Sequence, residues 1–142
     1  MHPLAPNIRW LRIVSGALAV IGFSFLILMI VTAIYATTLA IRVRGAPDQG
    51  EINRFAAGLG PRLMPWLESL LAFILAFGIF RRTKDRKPMH GFLLGILAGV
   101  LGLALVLFIR GHLSLLSAIT FSCVVSLGWI GGFCAQKWPA KT

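Results

Sequence analysis

From Ile13 to Ile41 the chain carries not one charged side chain. At about 1.5 Å of helical rise per residue, a run of that length outreaches a hydrocarbon core of ~30 Å. A helix here must tilt or project beyond the membrane. The basic residues before it, Arg9 and Arg12, also fit a secretion signal. Signal cores, however, span only about 7–15 residues, so the stretch reads as a retained membrane helix.

Composition supports lipid as the solvent. Hydrophobic residues make up 58% of the 142, and only 13% are charged. A water-soluble domain carries roughly 25% charged residues, so this chain lacks the material for a hydrated surface. The formal charge of +10 would suggest nucleic acid if it formed a face on a polar domain. The basic residues instead cluster at the ends of apolar runs, which argues for a lipid bilayer as partner and against nucleic acid.

Three more apolar runs follow, expected as spans over 63–80, 90–109 and 113–135 after a first span over 13–41. The expected fold is therefore all-α, a single polytopic domain of four transmembrane helices. The longest polar segment, Arg42 to Arg62, holds a further helix signal. Asp48 and Glu51 have the spacing of a capping pair, and Ile52, Phe55, Ala56 and Leu59 then share a face, with Asn53 and Arg54 opposite. Gly58, Gly60 and Pro61 are expected to stop this short amphipathic helix in the first outer loop. A plain loop is the alternative, since Gly50 weakens the helix.

The third run carries Gly91, Gly95, Gly99 and Gly102. Each interior glycine costs a helix about 1 kcal/mol relative to alanine, which close approach of helix backbones in lipid offsets. Only Arg110, Gly111 and His112 separate this run from the fourth, so the two form an antiparallel hairpin. The fourth run offers a ridge of small residues, Ser114, Ala118, Ser122 and Ser126, and then Gly128 and Gly132. The two ridges are expected to mesh as a glycine-zipper-like seam, with serine hydroxyls facing glycine backbone.

The segment RRTKDRK sets orientation. Arg81, Arg82, Lys84, Arg86 and Lys87 stand against one acid, and short basic loops stay in the cytoplasm. Both termini then lie inside as well, in a membrane of bacterial cytoplasmic type. The same five side chains attract anionic headgroups, at about 1 kcal/mol each near the surface.

Few residues offer chemistry. Glu68 is the sole acid within an apolar run, and it shares a helix face with Ala72 and Ala76. A charge at the bilayer centre costs about 2.5 kcal/mol or more, so such a residue faces a partner, a cavity or a substrate path. Pairing with Arg42, Arg62 or Arg110 is the ordinary outcome; binding a proton or cation is the functional one. His2, His90 and His112 are scattered, and Cys123 and Cys134 lie about 16 Å apart along one helix, too far for a disulfide. No metal, no cofactor, no nucleophile with its base and no phosphate loop is expected. The leading expectation is a non-enzymatic accessory or assembly subunit, contacting other membrane subunits or itself. The alternative is a small proton- or cation-coupled transporter or channel using Glu68, which would need at least a dimer because four helices alone enclose little space.

Overall fold

The computed structural model describes residues 10–81 and 87–138 and is all-helical. Its four helices are α1 (Trp10–Val43), α2 (Gln49–Phe80), α3 (Lys87–Arg110) and α4 (Leu115–Lys137). Each is long and apolar enough to cross a membrane. Large apolar side chains such as Leu11, Met29, Ile34, Leu70 and Phe108 stand exposed on the outer surface. In water such a surface would drive association, whereas acyl chains accept it.

α3 packs most closely on α4, and α2 also packs on α4; α1 lies against α2 and α3 and makes no contact with α4 among the described residues. The helices therefore stand in the cyclic order α1, α2, α4, α3, with α1 and α4 at opposite corners. Gly111, at φ +71°, turns the chain between α3 and α4 in a conformation that glycine adopts without strain. Ser114 then caps α4 through a capping box with Ser117.

The α3–α4 seam runs antiparallel and is built on glycine. A Cβ on Gly91 would collide with the Gly128 carbonyl oxygen and come within 2.9 Å of the Gly132 Cα. One on Gly95 would lie 2.9 Å from the Val124 carbonyl oxygen, and one on Gly99 would lie 2.6 Å from the Phe121 ring. The serine ridge, Ser114, Ala118, Ser122 and Ser126, is exposed, and the α4 atoms nearest the seam glycines belong instead to Phe121, Val124, Val125, Gly128 and Gly132. Packing explains the difference: glycine backbone gains more from an aromatic ring and bare backbone than from hydroxyls already satisfied within their own helix, as Ser122 is by the Ala118 carbonyl. A second close approach, unforeseen from spacing, sets Gly131 of α4 against Phe73 and Ala76 of α2.

The short amphipathic helix does not exist as a separate element. α2 begins at the expected cap, with Asp48 accepting from the Gly50 N–H at 2.9 Å, and runs unbroken through Gly58, Gly60, Pro61 and Pro65 to Phe80. Glycine and the two prolines lower helix propensity without forbidding a helix, and the packing of this half of α2 against α1 outweighs them. Along the expected apolar face Ile52, Phe55, Ala56 and Leu59 are half-buried, and Asn53 and Arg54 are exposed as their spacing predicts. Glu51 does not complete the capping pair. Its Oε1 accepts from the Tyr35 hydroxyl at 2.9 Å, and the Tyr35 and Phe55 rings stack with centroids 3.8 Å apart. Tyr35→Phe keeps the stack and deletes the bond, so it should cost about 1 kcal/mol in thermal unfolding in detergent micelles. A loss no larger than that of an exposed substitution such as Thr37→Val would show that the bond does not tie α1 to α2.

Tight packing is confined to one end. Ile13, Ala17 and Val20 of α1, Ala72, Ala76 and Phe80 of α2, Leu94 and Ala98 of α3, and Val124 and Ala135 of α4 form the buried core. Apart from Ala98 and Val124, which lie mid-helix, they fall toward the ends of the helices that meet at the α2–α3 link, where Arg81 donates from Nε to the Trp138 carbonyl at 3.0 Å and Gly16 sits against Leu94 and Ile79. The start of α1 and the end of α4 thus share that end. Toward the α3–α4 turn the bundle loosens, and there the candidate site lies.

Candidate functional site

A cleft of about 230 Å³ opens in the loose half, lined by all four helices. Its existence in one chain removes the requirement for a dimer to create a cavity. Two features of the sequence make it. Gly60, Pro61 and Pro65 present little side-chain bulk along α2, and Gly99 and Gly102 do the same along α3. Neither proline donates a backbone hydrogen bond, so this wall also holds carbonyls without the usual helical partner.

Glu68 sits at the floor. It is the first fully packed position of α2, level with the last buried residues of α3, Ala98 and Gly99, and with Val124 of α4. Only 9% of its surface is exposed. A Cβ added to Gly102 would stand 3.3 Å from Glu68 Oε2, and the three nearest atoms to it all belong to the Glu68 carboxyl group. Counting from Gly102 to Ile109 at the end of α3, the carboxyl lies roughly 10 Å inside that end. Ala72 and Ala76 are fully buried behind it, so the inward face predicted by their spacing is observed.

The ordinary outcome for Glu68, an arginine partner, is not found among the described residues. Arg42 and Arg62 are exposed, and the ion pair among the described residues joins Arg54 to Asp48 at 3.9 Å. The side chain of Arg110 lies outside the described residues. No hydrogen bond reaches the Glu68 carboxyl from a described residue, and no other ionisable side chain lines the cleft among the described residues. The neighbouring Ser69 hydroxyl is also buried without a hydrogen-bond partner among the described residues.

The other polar groups at the cleft are committed. Ser114 and Ser117 bond to one another and to the start of α4, and Thr120 Oγ1 donates to the Leu116 carbonyl at 2.8 Å. Among the described residues no three of His, Cys, Asp and Glu converge in a metal-binding group. His90 is buried at the opposite end, its ring 5.4 Å from that of Phe80. Cys123 and Cys134 are free.

Of the basic segment, Arg81 is exposed at the end of α2, bonded to Trp138 and placed with its guanidinium 5.6 Å from the Phe77 ring centre. Arg82, Lys84 and Arg86 lie outside the described residues, as does the side chain of Lys87, the first residue of α3. Sequence spacing gave the inward face on which Glu68 lies. It did not foresee the cleft, whose signal was the coincidence of Gly60, Pro61 and Pro65 on one helix with Gly99 and Gly102 on another. No family model matches the chain, and no curated protein and no solved structure matches it.

Proposed function

We propose that the protein is a small, non-enzymatic membrane transport protein in which Glu68 binds a proton or a cation at the floor of the cleft. The observation that carries this reading is a carboxyl group nine-tenths buried, facing a cavity and lacking an ion-pair partner among the described residues. A carboxyl buried for architecture alone would be expected to gain stability by pairing, and one left unpaired is retained for what it binds. The basic link then lies in the cytoplasm with both termini, in a bacterial cytoplasmic membrane, so that the cleft opens toward the opposite face.

The test is flux. In proteoliposomes with an internal pH dye, wild-type protein should move protons or exchange them for monovalent cations, and Glu68→Gln should reduce the rate at least about tenfold while eluting as wild type in detergent. Equal rates for the two proteins would end the transport reading.

A second reading, an accessory subunit or homo-oligomer, draws on the stripe of Ala118, Ser122 and Ser126 on α4, beside a shallow groove flanked by Ile119 and Leu127. Small residues facing lipid permit another helix to approach. Gly91, Gly95 and Gly99 of α3 do not support this reading, since each is packed against α4 within the chain. If Ser122→Leu dissociates a complex in mild detergent and Glu68→Gln alters nothing, assembly is the better account.

A further inference from the structure

We infer that the ligand of the Glu68 cleft is a lipophilic organic monocation, an ammonium bearing apolar substituents, and not an inorganic ion. The inference rests on the transport reading and names its substrate class.

Charge comes first. Among the described residues the cleft holds one carboxyl and no other ionisable group, so it complements a single positive charge. A hydrated inorganic ion entering it would have to replace water with several oxygens; hard cations take about six or more. The side-chain oxygens lining the cleft besides Glu68 are the hydroxyls of Ser114, Ser117 and Thr120, and all three are engaged in the first turns of α4. With the two carbonyls that Pro61 and Pro65 leave without a helical donor, Glu68 still offers fewer oxygens than a hard cation takes. An alkylammonium asks for less, because its charge is spread and its substituents prefer apolar contact.

The walls supply that contact. Phe25 and Leu28 of α1, Met64 of α2, Leu103 and Val106 of α3 and Phe121 of α4 line the same cleft as the carboxyl. Methionine and aromatic side chains adapt to irregular apolar shapes and attract cations to ring faces. The notch at Gly102 lets a substituent reach the carboxyl oxygen itself. A volume of about 230 Å³ lies below the usual range for drug-sized ligands, roughly 300–1,000 Å³, and so fits a small quaternary ammonium or the head of a longer amphiphile.

The experiment is calorimetric titration of the purified full chain in lipid nanodiscs with tetramethylammonium, tetraethylammonium and sodium. Tetraethylammonium should bind at one site per chain, about tenfold or more tighter than tetramethylammonium, because each added methylene enters apolar surroundings. Sodium should give no heat of binding. Glu68→Gln and, independently, Gly102→Val should each weaken tetraethylammonium binding at least about tenfold. Gly102→Val acts by filling the notch beside a flexible side chain, so it keeps the test open should Glu68→Gln fail to fold. Tetraethylammonium binding no tighter than tetramethylammonium, or unchanged in both variants, overturns the inference. Flux that depends on Glu68 without any organic cation binding overturns it while leaving the transport reading intact; neither binding nor flux depending on Glu68 overturns both.

Discussion

Gly91→Leu should prevent α3 and α4 from pairing and leave no cooperatively folded protein. Any Cβ at this position meets the Gly128 carbonyl oxygen and the Gly132 backbone, and backbone cannot change rotamer to make room. Overpacking against movable side chains typically costs about 1–3 kcal/mol, and an obstacle made of helix backbone belongs at or above the top of that range. Gly128→Leu should act alike, since its Cβ would stand 2.8 Å from the Gly91 carbonyl oxygen. The contrast lies within the same chain. A Cβ added at Gly22 or at Gly78 would meet nothing within 4 Å, so Gly22→Ala and Gly78→Ala should be neutral or stabilising by up to about 1 kcal/mol through helix propensity. Thermal unfolding followed by circular dichroism in detergent separates the two classes. If Gly91→Leu melted as the wild type does, the glycine seam would not be what holds the bundle together.

The second large effect has the opposite sign on stability. Glu68→Leu should raise resistance to thermal unfolding by about 1–3 kcal/mol while removing the proposed transport. A polar group taken out of water without a hydrogen-bonding partner costs roughly that much, and leucine fills similar space against Gly102, Phe121 and Val124 without the penalty. Proteins keep such groups where activity requires them, and substitutions that remove them trade function for stability. A structural carboxyl gives the reverse result. Should Glu68→Leu destabilise the protein, Glu68 has a partner that holds the fold, and its place at the cleft floor has no functional meaning.

The four helices were legible because lipid imposes one rule on all of them: apolar side chains outward and backbone groups satisfied within the helix. Asp48 announced its cap, and the four-residue spacing of Glu68, Ala72 and Ala76 announced a buried face. Gly128 and Gly132 do lie against the third helix. The serine half of that ridge is exposed, because four-residue spacing marks a stripe without saying toward which neighbour it turns. Ser114, Ala118, Ser122 and Ser126 are exposed, whereas Val124, Gly128 and Gly132 are buried at the seam. The unbroken α2 was missed for a different reason: Gly58, Gly60 and Pro61 are stop signals calibrated on helices in water. The cleft was illegible for a third. It arises between helices, from where the small residues of α2 face those of α3, and no pattern along one segment encodes that juxtaposition.

At about 1.5 Å per residue, α1 and α2 are roughly 51 and 48 Å long, against roughly 36 and 35 Å for α3 and α4. The shorter pair matches the thickness of a bilayer, and the longer pair overshoots it on the side away from the basic link. With α3 and α4 set across the membrane, the crest formed by Val43 to Gln49 rises above the headgroups, braced by the Tyr35–Glu51 bond beneath it. The mouth over Glu68 consequently has a tall rampart on one flank and only the low α3–α4 turn on the other. Under the proposed transport reading, traffic between bulk water and the carboxyl would pass over that lower sill, beside Ser114.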